Sequence, residues 1–214
     1  MNYFVIPARA GSKGLPHKNR VLFKYTADII QSAIVSTDDQ EIDIEARSRG
    51  FFVHRRSEKN AEDTASMKDT LLEIIKDENM INSDILILLY LTYPQRTMND
   101  IKNAYDFFIN YNAKSLLCKK KVKSNPFLCM FEKGIHGEQM IKHDFYRRQD
   151  YPRCFEISHY IGIFRVGEIK NLNSNLYNRE TVFFDINDVI DVDTPDDLQR
   201  FIDGKKNSTR DSDG

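Results

Sequence analysis

Residues 84–91, Asp-Ile-Leu-Ile-Leu-Leu-Tyr-Leu, limit the fold of this chain more than any other segment. An apolar run with no polar alternation reads as a strand covered on both faces, the position of an interior strand in a parallel sheet. The run is far too short for a membrane helix, which needs about 20 residues. A sheet covered on both faces needs helices on both sides, and the flanking sequence supplies them. Residues 3–7 form a strand that ends at a Gly-containing loop, and residues 33–37 form a second. Residues 39–49 read as a helix stopped by Gly50, and 51–54 as a third strand. A helix starts near Asp63 and Thr64 with Leu71, Leu72, Ile74 and Ile75 inward. Thr97 caps a helix over 98–110, where Ile101, Ala104, Tyr105 and Phe108 keep helical spacing. Residues 114–119 form another strand. This rhythm predicts an α/β fold, a Rossmann-like, mostly parallel sheet with helices on both faces. Ligands of such sheets bind at the carboxyl ends of the strands, so the loops after Pro7, Thr37 and Leu91 are where chemistry is expected.

Residues 120–165 break the rhythm. They are rich in Lys, Arg and aromatics, with short strand-like runs at 127–131 and 161–164. The expectation is an extension outside the sheet, built of hairpins. Order returns at 182–184 and 189–192, followed by a helix with Thr194 as cap and Pro195 at its first position. At 214 residues the chain is expected to form one domain over 1–203, carrying an extension over about 120–157. Residues 204–214 hold no aliphatic or aromatic side chain and are expected to form a disordered tail.

Lys and Arg number 31 against 32 Asp and Glu, a net charge of -1. That balance argues against a nucleic-acid partner, which calls for a basic excess. It leaves small anions open, since they need only a local cluster. The three cysteines form no C-x-x-C pair and read as reduced thiols of a cytoplasmic protein. The first residues show no signal-type segment, and no membrane association is expected.

Three segments carry candidate chemistry. Residues 6–20 (IPARAGSKGLPHKNR) follow the first strand and contain Arg9, Lys13, Lys18 and Arg20 with no acid among the first twenty residues. Gly11 and Gly14 allow close backbone approach, and successive N–H groups in such a turn make an anion-binding concavity that the cations would reinforce. It is neither a Walker A loop nor a dinucleotide fingerprint, and an ordinary Gly-rich turn with solvated lysines is the plain alternative. In the second segment, Asp191 and Asp193 sit at i and i+2 on an expected strand, which aims both carboxylates to one side and suits a hard cation such as Mg²⁺. A solvated strand end is the alternative there. From Asp185 to Asp203 there are seven Asp and one Arg. The third segment, residues 145–153, holds Arg147, Arg148 and Arg153 beside aromatics; it suits a carboxylate or phosphate, with nucleic acid or a solvated loop as alternatives. His159 sits in an apolar, aromatic setting, as a pocket or a packed residue.

Taken in order, six motifs resemble the CMP-sialic acid synthetase family, the acylneuraminate cytidylyltransferases: PARAGSKGLPHKN (7–19), VSTDD (35–39), RSEKNAEDTAS (56–66), LLYLTYPQR (88–96), RRQDYP (147–152) and IDVDTPDDL (190–198). The resemblance implies a nucleotide-diphospho-sugar transferase type of fold and the reaction of CTP with a 2-keto-3-deoxy sugar acid to give a CMP-sugar and pyrophosphate. It implies that Ala8, Arg9, Gly11, Ser12, Lys13, Lys18, Asn19, Arg56 and Ser66 bind the nucleotide. Arg9, Lys13 and Asp193 would be catalytic, and Asp191 and Asp193 would ligate Mg²⁺. Tyr90, Arg148, Gln149 and His159 would meet the sugar acid. It also implies a homodimer with shared active sites, joined through the extension.

The chain departs from the family pattern in three places. Residues 20–34 are shorter than usual, so the first helix is expected to be curtailed. Tyr90-Leu91 and Tyr93 replace the usual Gln-Pro and Ser, and Ile157-Ser158-His159 replaces Pro-Asn-Gly. The last two changes fall on the acceptor side, so the expected acceptor is a relative of N-acetylneuraminate, of legionaminic, pseudaminic or deaminated type. Another sugar nucleotidyltransferase of this fold and a non-catalytic nucleotide-binding module are the competing functions.

Overall fold

The apolar run becomes the middle of the sheet. In the computed structural model, which describes residues 1–11, 14–61 and 65–210, the elements follow as β1 (Asn2–Pro7), α1 (Lys18–Ala27), β2 (Ile34–Thr37), α2 (Gln40–Ser48), β3 (Phe52–Arg55), α3 (Glu58–Ala61), α4 (Met67–Asp77), β4 (Ile85–Leu88), α5 (Met98–Asn110), β5 (Ser115–Lys121), β6 (Met130–Lys133), β7 (His136–Gln139), β8 (Phe155–Arg165), β9 (Val182–Asp185) and α6 (Pro195–Arg210). Seven strands form one sheet in the order β3-β2-β1-β4-β8-β5-β9. All neighbours are parallel except β8, which runs antiparallel between β4 and β5.

All four residues of β4 are buried, and strand alternation divides them between two cores. Ile85 and Ile87 pack with Leu22 and Phe23 of α1, Ile42 of α2, Ile101 and Phe108 of α5 and Phe201 of α6. Leu86 and Leu88 point the other way, to Leu71 and Ile74 of α4, Phe164 and Ile169. The helices are capped where their sequences ask for it. Asp39 accepts from the amides of Glu41 and Ile42 at the start of α2. Thr97 and Asp100 make a reciprocal capping box on α5. Thr194 and Asp197 exchange the same bonds at α6. α1 is a ten-residue helix entered through His17 at φ 55°. Among the described residues no helix is long and apolar enough to cross a membrane.

The structure corrects several expectations. Residues 161–164 are not part of an outlying hairpin: they belong to the eleven-residue β8, buried near the middle of the main sheet. The run reads as a strand in the sequence, and its place in the main sheet comes from pairing with β4 and β5, residues distant in sequence. A Cβ on Gly162 would lie 2.8 and 2.9 Å from ring atoms of the fully buried Phe164. The extension itself holds the separate β6–β7 hairpin, and the run at 127–131 is split between a 3₁₀ turn at Pro126–Leu128 and β6. Residues 189–192 form no strand; they cross the strand ends rather than running alongside one. Leu72 is exposed, because Leu71 and Ile74 carry the buried stripe of α4. The observed cap of α4 is Ser66, and the start expected at Asp63 and Thr64 lies outside the described residues. The expected tail is helical as far as Arg210, with the Lys205 ammonium over the rings of Tyr25 (4.7 Å) and Phe201 (5.8 Å). Residues 211–214 lie outside the described residues.

Gly162→Ala is expected to cost about 1–3 kcal/mol, the usual penalty of overpacking a rigid core. Urea unfolding followed by circular dichroism measures it, and an unchanged midpoint would mean that Phe164 can move aside.

Candidate functional site

The loop after β1 is shaped by the strand beside it. The Ala8 amide donates to the Ser36 carbonyl (2.9 Å), and Thr37 Oγ1 donates to the Ala8 carbonyl (2.5 Å). The Ala10 amide donates to Asp38 Oδ1 (2.6 Å), so one amide of the expected anion concavity is already engaged. Asn19 Nδ2 donates to the Arg9 carbonyl (2.8 Å), tying α1 back to the loop. Gly11 has φ +74°, a backbone conformation that favours glycine. Ser12 and Lys13 lie outside the described residues. A Cβ on Gly14 would stand 2.5 Å from the Asp193 carbonyl oxygen, so glycine is what lets the acidic segment dock here.

Beside this loop, at the carboxyl ends of β1 and β4, is a cleft of about 190 Å³ lined by Pro7, Arg9, Lys18, Asn19, Arg56, Met67, Tyr90, Leu91 and Thr92. Residues far apart in sequence thus meet as expected: Arg9, Lys18, Asn19, Arg56 and Tyr90. Arg56 is buried, and its Nε donates to the Ser36 carbonyl and hydroxyl oxygens (3.2 and 3.1 Å). Burial lowers its pKa, opposed by Asp38 and reinforced by Arg9. Two cations on one small cleft favour an anion between them. Ser66 is only adjacent to this wall: its hydroxyl and Asp69 bond each other in the cap of α4, while Met67 faces the cleft. Arg20 is turned elsewhere, paired with Asp39 (2.7 Å) and Glu41.

The acidic segment is held from below. The Val192 amide donates to the Thr92 carbonyl (2.8 Å), and Gln95 Nε2 to the Ile190 carbonyl (3.0 Å). Val192 is buried, while Asp191 and Asp193 are exposed on either side of it. Each carboxylate is oriented by a neighbour: Asp191 Oδ2 accepts from the Tyr93 hydroxyl (2.8 Å), and Asp193 Oδ1 pairs with Lys18 Nζ (2.5 Å). Two hard oxygen donors beside a cationic cleft fit Mg²⁺, which typically takes one or two carboxylates and completes its shell with water and phosphate.

The acceptor-side departures gather around the same segment. The His159 ring leans on Tyr90 at 5.6 Å. Its Nδ1 is buried without a partner, and burial holds its pKa below the ordinary value despite Asp191. Burial, then Asp191, raises the Tyr93 pKa, which keeps its hydroxyl a donor. Behind them lies Arg96, buried, with Nε on the Tyr160 carbonyl (2.8 Å) and Nη2 on the Tyr90 carbonyl (2.6 Å). Burial pushes its pKa down to about 10, so it stays charged at neutral pH. Arg148 and Gln149 are not brought to the cleft. They sit exposed in a short 3₁₀ turn of the extension, next to the Arg147–Asp150 pair. Ser36, Asp38 and Arg96 have site roles that sequence reasoning missed. All three stand in the motifs VSTDD and LLYLTYPQR.

Known proteins resemble the chain over most of its length. It is 28% identical to an N-acylneuraminate cytidylyltransferase of Streptococcus agalactiae over 219 residues, covering 91% of this chain and 51% of that protein. The chain therefore spans about half the length of the streptococcal relatives it matches. It is also 28% identical to the pseudaminic acid cytidylyltransferase of Campylobacter jejuni, covering 92% of this chain and 93% of that one. The solved structure of CMP:2-keto-3-deoxy-manno-octonic acid synthetase complexed with CTP superposes with a TM-score of 0.66 at 16% identity, over 97% of this chain and 99% of the other, and shares its fold. The sequence pattern of the cytidylyltransferase family matches residues 3–183, and the chain belongs to that family.

Proposed function

We propose that the chain activates a nonulosonic, 2-keto-3-deoxy sugar acid with CTP, releasing pyrophosphate. One observation carries this reading: Arg9, Lys18, Asn19 and Arg56 line one cleft, and the Asp193 carboxylate is paired with Lys18 at its edge. The anomeric hydroxyl of the sugar acid gives its proton to water and forms a bond to the α-phosphorus, while the bond from that phosphorus to the bridging oxygen breaks and its electron pair leaves with pyrophosphate. Such displacement depends on positioning and charge balance rather than on covalent help from the protein. Arg9 and Lys13 balance charge on the departing pyrophosphate. Asn19 and Arg56 take the base, and Ala8, Gly11, Ser12 and Ser66 complete the nucleotide side, as in the motifs they match. Lys18 exchanges Asp193 for phosphate when the nucleotide arrives. Asp191 and Asp193 are the residues that would hold Mg²⁺. When bound, the ion screens phosphate charge and lowers the pKa of the nucleophile.

On the acceptor side, Tyr90, Tyr93 and His159 replace the polar and small residues of the family pattern. The chain is 28% identical both to an N-acylneuraminate and to a pseudaminic acid cytidylyltransferase, so the reading of a nonulosonate other than N-acetylneuraminate rests on these replaced residues. The extension supports a homodimer. It exposes Ile135 (95%) and Tyr146 (93%) together with Leu128 and Phe131, an apolar surface that a second copy would cover. Arg148 and Gln149 lie on that extension and line no part of their own chain's cleft. In this reading Arg148 of the partner subunit meets the sugar carboxylate. A cytoplasmic location fits a CTP-dependent reaction and three free cysteines.

Pyrophosphate release from CTP is expected only when a 2-keto-3-deoxy sugar acid is added; a panel of such acids without turnover, in Mg²⁺ and with folded protein, would refute the activity. Asp193→Ala is expected to lower kcat/KM by about 10²-fold or more, and near-normal rates in Mg²⁺ would remove Asp193 from the ligand set. Arg148→Ala is expected to raise KM for the sugar acid by about tenfold with little change in KM for CTP. Equal effects on both substrates would assign Arg148 elsewhere.

A further inference from the structure

A second group of ligand-type side chains stands outside the residues that line the cleft. His54 on β3 faces Glu73 and Asp77 of α4, and one ligand atom from each lies within 4.8 Å of the others. The His54 side chain is 3% exposed, and its Nε2 points at Asp77 Oδ2, 3.3 Å away, with no hydrogen-bond partner. A tetrahedral ion with bonds of about 2.0–2.1 Å separates its ligands by about 3.3 Å, which matches this edge of the triangle. The other ring nitrogen, Nδ1, lies 3.2 Å from Ser36 Oγ, the kind of orienting contact that metal-bound histidines make. Glu73 is kept as a carboxylate. Burial works against its charge, but Asn60 Nδ2 (2.6 Å), Ser57 and His54 outweigh that and leave its pKa lowered.

The placement of the two acids also calls for a cation. Glu73 and Asp77 are four residues apart on one helix, where like charges repel. Asp77 is the last residue of α4, at the negative end of the helix dipole. An ion there relieves both, and Asp77, half exposed, leaves it a way in. One imidazole with two carboxylates suits a borderline cation better than Mg²⁺, which prefers oxygen alone.

We propose that His54, Glu73 and Asp77 bind a Zn²⁺-type divalent cation at a site separate from Asp191 and Asp193. The ion on Nε2 requires the proton on Nδ1, which then donates to Ser36 Oγ. That oxygen also accepts from Arg56 Nε (3.1 Å), so the site buttresses a residue of the cleft.

Co²⁺ and Zn²⁺ added to chelator-stripped protein test the proposal. Wild type is expected to show the visible bands of four-coordinate Co²⁺ and to retain one Zn²⁺ per chain by mass spectrometry. Asp77→Asn, folded by circular dichroism, should bind Zn²⁺ at least about tenfold more weakly, whereas Asp191→Asn should bind it as wild type does. Absence of the Co²⁺ bands, an unchanged Zn²⁺ affinity in Asp77→Asn, or loss of Zn²⁺ in Asp191→Asn would each overturn it. None of these readouts depends on turnover, so they stand apart from the proposed CTP chemistry.

Discussion

The backbone bond from the Val192 amide to the Thr92 carbonyl holds the candidate site together. It lays the acidic segment across the carboxyl ends of the parallel strands, where a segment with no strand of its own would otherwise drift. With Val192 pinned and buried, Asp191 and Asp193 are left on either side of it, one reaching Tyr93 and the other Lys18. The close approach of the Asp193 carbonyl to Gly14 makes the same strap depend on a missing side chain in the first loop. Basic loop and acidic segment are therefore one unit. The two patches meet through the Lys18–Asp193 pair.

The second constraint is Arg96. Burying a guanidinium costs several kcal/mol unless its donors are satisfied. Here the carbonyls of Tyr160 and Tyr90 take Nε and Nη2, while Nη1 is buried without a hydrogen-bond partner, and the cation lies 5.4 Å from the Tyr160 ring centroid and 6.0 Å from that of Tyr93. The two carbonyls belong to the segment after β4 and to β8. Arg96 thus fixes the spacing between the wall that carries Tyr90 and the wall that carries His159. A buried structural residue sets the distance between these two walls without lining the cleft itself.

Much of this was legible in the sequence, for physical reasons. The interior strand announces itself by continuous apolarity. Thr97 is a polar cap ahead of the apolar stripe at 98–110 and caps that helix, and the helix read at 39–49 spans Gln40–Ser48 ahead of Gly50. The basic loop is recognisable from composition and glycines, and Arg9, Lys18, Asn19 and Arg56 converge as their motifs imply. What escaped depends on contacts distant in sequence. The run at 161–164 reads as a strand, but its place between β4 and β5 depends on distant pairing, and Gly162 makes sense only once Phe164 is folded over it. The 189–192 segment has strand-like composition but pairs with no strand, and its two acids are oriented by Tyr93 and Lys18 rather than by a pleat. Tyr93 and Arg96 look like ordinary aromatic and basic residues until the carbonyls and carboxylate around them are in place. Arg148 and Gln149 lie on the extension, beyond their own chain's cleft.

The neighbouring positions of β5 and β8 bear on how this chain can diverge. Lys121 ends β5 opposite Phe155, the first residue of β8. Everything between them leaves the sheet and returns to it through a single rung of the ladder. The main sheet meets that excursion only as a closed loop whose base is already pinned, and loop length adds little to the cost of closing it. The hairpin and the arginine turn can therefore lengthen, shorten or change sequence without disturbing the strands that carry the cleft. The excursion and the strands that carry the cleft are parts of the chain that can vary separately.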